Sequence, residues 1–415
     1  MRVHHNVCCG IDVHKKSVTV CLMWGPADRE PEYEIRRFDT MTSDLKKLGE
    51  WLKQAHCEVA AMESTGSYWK PVWNVLEDDM KLILANANHV RALPGEKTDQ
   101  KDGKRLAGLL RHGLIRPSFV PPREIRQLRD LTRYRSKLLG NGASERNRIQ
   151  KVLEDANIKL GSVLTDVFGV SGHKMLKALV ASDVVEIDQI TKLAHWKLEP
   201  KIEQIKKALE GKLTDHHRFL IDLSLNHMEA IEKQLIKLDQ EIDRRLVKHQ
   251  QSLDLLDSIP GLGPTSSKSI LSEIGADMSA YPDGEHLASW STICPGNNES
   301  AGKKFSGKTR KGNPHLKATL VDCAWGATRK KNSRFRAQYY RIKSRRGAKR
   351  AIIAVAHTLL LTIYTVLQSR QPYSEPEPPP LSETKRIKKA SDLCRKLRQL
   401  GFDIALKEKI QIQNA

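Results

Sequence analysis

Residues 5–115 switch repeatedly between strand and helix periodicity, and that alternation leaves few folds open. Cys8 to Val13 and Ser17 to Met23 read as two strands joined by a tight polar turn, and Tyr33 to Phe38 as a third, so the chain begins as an antiparallel meander. Behind Ser43, the expected N-cap, Leu45, Leu48, Trp51 and Leu52 recur at helical spacing. Glu58 to Met62 reads as a fourth strand, with Glu63 just past its end. Tyr68 to Leu76 follows as a helix and Leu82 to Ala87 as a fifth strand. In the next helix Thr98 is the expected N-cap, and Leu106-Ala107, Leu109-Leu110 and Leu114 keep the helical period. The order βββαβαβα predicts a mixed sheet covered by helices, not a doubly wound parallel sheet.

Four acids occupy telling places in that order. Asp12 stands alone in the apolar strand Cys8-Cys9-Gly10-Ile11-Asp12-Val13, where an unpaired charge is expensive. Either the strand reaches the surface there or something charged meets it. Asp99 and Asp102 share one face of a first helical turn. Two acids there can answer the positive end of the helix, or form half of a divalent-metal site with Lys97, Lys101 and Lys104 turned to an anion. Strand, strand end and helix can bring Asp12, Glu63, Asp99 and Asp102 to one sheet edge. Oxygen ligands of this kind suit Mg²⁺ or Mn²⁺, and a two-metal site serves phosphoryl transfer.

Charge says what such a site would act on. The net charge is +21 and the pI about 9.6, which calls for a polyanion, nucleic acid first and an anionic membrane second. Lys303 to Arg350 holds 17 Lys or Arg against the single acid Asp322, so 17 − 1 = +16 of the +21 lies in one window. Such a localised excess reads as a binding surface. The seven cysteines are scattered, without metal-type pairs, and no signal peptide precedes the first strand. A reducing cytoplasm, with the protein on the nucleoid, is the expected location. The longest apolar run, Ala351 to Leu367, includes His357 and three threonines and reads as a buried core helix, not a membrane anchor.

From Pro121-Pro122 onward the texture becomes helical. Glu124 to Asp155 is a basic amphipathic pattern carrying Arg126, Arg129, Arg133, Arg135, Arg146 and Arg148; Gly140-Asn141-Gly142 are candidates to break it. The arginines suit a solvated face as well as a grip on nucleic acid. Residues 156–215 show short helices near Lys174 to Ala181 and Ile202 to Glu210. His217 to Leu256 carries a heptad seam through Ile221, Met228, Ile231, Leu235, Leu238 and Ile242, interrupted near Ser224. That seam fits an intramolecular hairpin with 125–155 or a dimer, with dimerisation favoured. Ser258 to Thr265, with Gly261 and Gly263, resembles a helix–hairpin–helix turn whose amides hold phosphate, or is a plain turn needing glycine.

Residues 294–313 form a Ser/Gly loop among cations: Glu299-Ser300-Ala301-Gly302-Lys303-Lys304, then Ser306-Gly307-Lys308-Thr309-Arg310-Lys311-Gly312. On composition it packs phosphates, or presents a serine where an anionic transition state is favoured. Lys303, Lys304, Lys308, Arg310, Lys311, Arg334, Arg336, Arg345 and Arg346 are the expected nucleic-acid contacts. Phe335, Tyr339 and Tyr340 are interleaved among the later cations for stacking. Gln371 to Pro380 is a proline-rich linker and Lys385 to Lys409 a basic tail.

The stretches Gly10-Ile11-Asp12-Val13, Glu63-Ser64-Thr65-Gly66-Ser67-Tyr68 and Lys97-Thr98-Asp99-Gln100-Lys101-Asp102 together make the chain resemble the DEDD insertion-sequence transposases. That family includes the Piv-type invertases and the bridge-RNA-guided recombinases. Glu299-Ser300-(Ala301)-Gly302 and Lys311-Gly312-Asn313-Pro314-His315-Leu316-Lys317 look like its C-terminal transposase domain. The resemblance implies an α/β plus all-α chain. A ribonuclease-H-like (RuvC-like) mixed-sheet domain over 1–120 leads to a helical, coiled-coil middle over 121–256. A mostly helical transposase domain follows over 257–370, then a linker and tail over 371–415. It implies that Asp12, Glu63, Asp99 and Asp102 bind Mg²⁺ or Mn²⁺, and that Ser300 becomes a covalent nucleophile toward DNA. It also implies a guide RNA, a dimeric or tetrameric homo-oligomer, and acid and serine domains of different protomers acting together. Ala301 departs from members in which glycine follows the serine directly, which makes Ser306-Gly307 a competitor. Two other functions fit the residues: a metal-dependent junction nuclease with water as nucleophile, and an inactive nucleic-acid-binding scaffold.

Overall fold

The computed structural model describes residues 2–64, 66–85, 99–181, 186–294, 298–300, 303–306, 312–376 and 383–404. The chain divides into two compact units, Met1–Gln250 with Lys268–Ala280, and Gln251–Ser267 with Tyr281–Ala415.

The first unit opens with a mixed sheet whose order among the described residues is β3-β2-β1-β4-β5-β6. Strands β1 (Val7–Val13), β2 (Ser17–Trp24) and β3 (Glu32–Asp39) form the antiparallel meander. β4 (Val59–Glu63) runs parallel to β1, and β5 (Lys81–Ala85) parallel to β4. The two-residue β6 (Pro117–Ser118) closes the edge antiparallel and is too short for periodicity to reveal. Helices α1 (Thr42–Gln54), α2 (Trp69–Leu76) and α3 (Asp99–Arg111) complete the expected order.

Side chains alternate across each strand, so the sheet has two apolar faces. Cys9, Ile11, Val20, Ala60, Met62 and Leu84 are buried with Leu45, Leu48, Leu52, Val72 and Leu76 of α1 and α2. Cys8, Cys21, Met23, Val59, Ala61 and Ala85 are buried with Leu106, Ala107 and Leu110 of α3. Full burial of a large apolar side chain contributes about 1.5–3 kcal/mol. Burial also pushes the Cys8 thiol up to about 12 and that of Cys21 to about 11, so these thiols pack and do not react. Helix α3 lies directly on β1: a Cβ on Gly10 would sit 2.2 Å from the Gly103 carbonyl oxygen and 2.5 Å from the Ala107 nitrogen. Only glycine allows that approach. At the end of α3, Arg111 is 1% exposed. Its guanidinium donates to the carbonyls of His5 (3.3 Å), Asn6 (3.1 Å), Gly25 (2.8 Å) and Pro26 (2.8 Å).

Two local expectations are corrected here. The α1 N-cap is Met41, without a side-chain cap, and Ser43 lies inside the first turn, bonded to Asp44. Glu63 is the last residue of β4, in register with Ala85, because the β4–β5 ladder continues one residue further than the apolar run. Thr98, the expected cap of α3, lies outside the described residues.

Helix α4 (Arg123–Asp155) runs unbroken through Gly140-Asn141-Gly142. After α5 (Leu160–Val163), α6 (Val170–Ala181), α7 (Ile187–Thr191) and α8 (Ile202–Leu209) comes the long α9 (Asp215–Leu246). The pairs Asp155–His217, Glu145–His227, Arg135–Asp239 and Gln127–Arg245 follow one another in opposite chain directions. Helices α4 and α9 are therefore an antiparallel hairpin within one chain, and Ile221, Met228, Ile231 and Ile242 are buried. This supports the hairpin alternative for the seam, because an intramolecular partner and a second chain bury the same heptad positions. The interruption falls not at Ser224, which is buried and bonds Glu145, but at the 3₁₀ turn Val247–His249 before α10 (Gln250–Asp257).

In the second unit, α11 (Pro264–Ile274) begins after the Gly261 turn; its later residues belong to the first unit. Gly261 has φ +90°, and a Cβ there would lie 2.3 Å from the Cys323 carbonyl. Its glycine thus serves a turn packed against α13 (Pro314–Arg329), the plain-turn alternative. Helices α12 (Gly284–Ser291), α14 (Arg334–Arg346) and α15 (Ala348–Ser369) complete this core, with α16 (Glu383–Gln399) in the tail. By length and composition α15 can cross a membrane, yet Ala351, Ile352, Val355, Ala356, Leu359, Leu360 and Ile363 are buried within the unit. It is a core helix, as its threonines and His357 predict.

Candidate active site

β1 and β4 are parallel neighbours with Ile11 opposite Met62. The next residues, Asp12 and Glu63, therefore stand side by side at the carboxyl ends of two central strands, the edge where open α/β sheets bind ligands. Both continue the alternation of Gly10 and Ala61, so they belong to the α3 face of the sheet. Asp102 lies on α3, and a Cβ on its neighbour Gly103 would be in ordinary contact, at 3.4 Å, with the carbonyls of both Gly10 and Thr19. Thr19 is the register partner of Asp12. The start of α3 thus crosses the sheet at the level of Asp12. Asp99 begins α3 one turn earlier; its side chain lies outside the described residues. Sequence elements far apart in the chain converge because the Gly10–Gly103 contact lets helix backbone rest on strand backbone.

Asp12 has a partner that the sequence reading passed over. The His14 imidazole lies 3.0 Å from its carboxylate, with the Asp12 side chain 16% exposed. The signal was the i, i+2 spacing of Asp12 and His14, which places them on one side of an extended segment.

In the second unit, β7 (Asn298–Ser300) and β8 (Lys303–Ser306) pair antiparallel, with Ser300 opposite Lys303 and Asn298 opposite Ser306. Both candidate serines thus sit on one hairpin. The side chains of Ser300, Ser306, Lys303 and Lys304, and the whole of Lys308, Arg310 and Lys311, lie outside the described residues. After the hairpin, Gly312 passes so close to Thr292 that a Cβ would lie 2.2 Å from the threonine hydroxyl. Asn313 then caps α13, accepting from His315 N (3.2 Å) and Leu316 N (3.1 Å).

Further along the second unit, α14 carries a basic, aromatic surface. Arg336 stacks over Tyr340 at 5.1 Å and Lys343 at 5.8 Å, while Tyr340 is 50% exposed. A cavity of about 840 Å³ is lined by Arg334, Arg336, Gln338, Tyr340, Arg341 and Glu375 among others. Arg345 and Arg346 are exposed at the end of α14.

Two stretches of the chain match family models: residues 9–158 the DEDD transposase model of IS110, and residues 253–340 the transposase model of the IS116/IS110/IS902 family. The chain belongs to the IS110 family of insertion-sequence transposases. No curated protein matches it. Membership implies DNA cleavage and rejoining, and DEDD transposases typically use a divalent metal.

For an IS110-type transposase, not every expected nucleic-acid contact faces outward. Arg334 is half-buried, donates to the Thr362 hydroxyl, and its backbone N–H donates to Glu375 at 2.6 Å. Charge counting could not show that the first turn of α14 points inward. The α4 arginines are likewise engaged. Arg126 binds Glu77 (2.8 Å), Arg129 and Arg133 bind Glu273 (3.2 and 2.7 Å), Arg135 binds Asp239 (2.5 Å) and Arg148 binds Glu145 (2.6 Å). Glu273 is only 2% exposed, so its arginines hold α11 to α4. Through these pairs α4 serves as a structural strut.

Proposed function

We propose that this chain is a DNA recombinase of the transposase type in which Asp12, Glu63, Asp99 and Asp102 hold Mg²⁺ or Mn²⁺ and Ser300 is the covalent nucleophile. The observation that carries the reading is the placement of Asp12 and Glu63 on adjacent strand ends, on the sheet face crossed by the start of α3. A ribonuclease-H-like sheet is supported by its order, β3-β2-β1-β4-β5 with one antiparallel meander.

The donor set fits the ion: carboxylate oxygens at one sheet edge suit a hard divalent cation. Bound there, the ion would supply Lewis-acid stabilisation of charge developing on phosphate oxygens. The chain's own contribution is to hold the carboxylates in place through the rigid Gly10–Gly103 packing, with His14 orienting the carboxylate of Asp12. Ser300 Oγ attacks phosphorus and gives up its proton; an Oγ–P bond forms, the P–O bond to one deoxyribose breaks, and the departing oxygen takes up a proton to leave as a strand hydroxyl. Rejoining is the same exchange with a strand hydroxyl as attacker, so bond energy is conserved. The cations around α14, with exposed Tyr340, grip the DNA and a guide RNA by phosphate contact and stacking. The protein works as a homo-oligomer in the cytoplasm, on the nucleoid.

The test is a denaturing gel for protein–DNA adducts on a donor-element substrate, together with sequencing of co-purifying nucleic acid. Ser300→Ala should abolish the adduct and Ser306→Ala retain it, with a discrete RNA accompanying the wild type. Strand cleavage that persists without an adduct in Ser300→Ala would instead indicate a nuclease using water. An adduct lost only in Ser306→Ala would move the nucleophile. Absence of any Mg²⁺-dependent cleavage would leave a binding scaffold.

A further inference from the structure

We propose that Glu285, Cys294 and His357 form a second metal site, a Zn²⁺ site within the second unit, separate in residues and in ligand chemistry from the acidic one. Their ligand atoms all lie within 4.8 Å of one another, and His357 Nε2 lies 3.5 Å from Glu285 Oε2. Around tetrahedral Zn²⁺, with sulfur at about 2.3 Å and nitrogen or oxygen at about 2.0–2.1 Å, neighbouring ligand atoms sit about 3.3–3.6 Å apart. The His357–Glu285 edge already has that length. The Cys294 sulfur needs to close by at most about 1.2 Å, which a side-chain rotation supplies. One thiolate, one imidazole and one carboxylate match Zn²⁺ and mismatch Mg²⁺, which takes oxygen ligands.

The backbone around the site is fixed before any ion arrives. Glu285 follows Gly284, where a Cβ would lie 3.1 Å from Leu361 and 3.3 Å from Tyr364, so the start of α12 is seated on α15, the helix that carries His357. The Asp283 carboxylate caps α12 by accepting from His286 N at 2.8 Å. Past the end of the helix, Thr292 takes φ +58° to turn the chain, Ile293 is fully buried, and Cys294 follows. Glu285 is 67% exposed and His357 24%, which leaves a fourth position open to water. This is the three-ligand arrangement in which zinc retains an exchangeable site. Binding releases the Cys294 thiol proton to solvent as the thiolate takes the metal. Because Cys294 begins the segment that leads to β7 and Ser300, the ion would tie the entrance of the serine hairpin to α15.

The full-length, metal-free chain is titrated with Co²⁺ and then Zn²⁺, following the thiolate-to-cobalt charge-transfer absorption, with no DNA present. One equivalent of Co²⁺ should give the band, and Zn²⁺ should displace it. Cys294→Ser should remove the band, and His357→Gln should weaken Zn²⁺ binding at least about 100-fold. Glu285→Gln, a change at an exposed residue that leaves folding intact, should weaken Zn²⁺ while keeping the band. Asp12→Asn should leave all three readings unchanged, so failure here is distinguishable from failure of the acidic site. Lack of a charge-transfer band, its persistence in Cys294→Ser, or unchanged Zn²⁺ affinity in Glu285→Gln would overturn the site.

Discussion

Replacing Gly10 by alanine tests whether the β1–α3 contact sets the geometry of the acids. The new methyl would meet the Gly103 carbonyl oxygen at 2.2 Å and the Ala107 nitrogen at 2.5 Å. A carbon–oxygen contact needs about 3.2 Å, so α3 must withdraw by about 1 Å; both obstacles are backbone, and no rotamer change can absorb the clash. Overpacking of this kind costs about 3 kcal/mol, which lowers Tm by about 6–12 °C in a unit of this size. The protein stays folded at assay temperature, but Asp99 and Asp102 move with α3 while Asp12 and Glu63 stay with the sheet. A misplacement of about 1 Å costs about 100-fold in rate. The assay is single-turnover cleavage of donor DNA in Mg²⁺, beside a circular-dichroism melt of the same preparation. Two controls separate position from substitution. A Cβ on Gly103 meets nothing closer than 3.4 Å, and one on Gly108 meets nothing within 4 Å. Gly103→Ala should therefore keep activity, and Gly108→Ala should gain up to about 1 kcal/mol of stability. Cleavage by Gly10→Ala at the wild-type rate would refute the reasoning.

Arg111→Met removes the guanidinium from its four carbonyl acceptors inside the first unit and should destabilise that unit by about 3–5 kcal/mol in urea melts, without changing DNA affinity of the folded protein. Burial raises the Glu145 carboxyl, but hydrogen bonds from Ser224, His227 and Arg148 outweigh it and hold the group below the usual carboxylate range. A depressed folded-state value means the stabilisation is complete above the unfolded value of about 4.3 and fades as pH falls through the folded one. Acid melting of the α4–α9 hairpin should show this loss, and Glu145→Gln should flatten it. Arg346→Gln, at an exposed cation, should reduce the slope of log affinity against log salt by about 1. Arg334→Gln should lower Tm, because its guanidinium holds Thr362.

Much of the sheet was legible because its strands are short and bounded by turns, its central strands are apolar, and Asp12 and Glu63 stand out against apolar neighbours. What stayed hidden depends on partners distant in sequence. The helix through Gly140 and Gly142 survives because α9 packs beside it: a Cβ on Gly142 would touch Ile231 at 3.9 Å. Ser224 reads as a break in the seam, yet it is the donor that a buried Glu145 requires. The α4 arginines look like a nucleic-acid grip until Glu77, Glu273 and Asp239 arrive from other elements. Charge along one helix cannot reveal acids that tertiary packing brings to it. Glu285, Cys294 and His357 were invisible for the same reason, since no spacing rule links a helix start, a loop and a later helix.

The central claim is that Asp12, Glu63, Asp99 and Asp102 hold the divalent ion on which DNA strand exchange depends. Its most direct test is the free-Mn²⁺ resonance signal titrated with full-length protein in the Glu285→Gln background, with and without Asp12→Asn and Asp102→Asn. The account predicts saturable Mn²⁺ binding that each of the two further substitutions abolishes together with Mg²⁺-dependent cleavage. Equal Mn²⁺ binding in the parent and in both substituted proteins would contradict it.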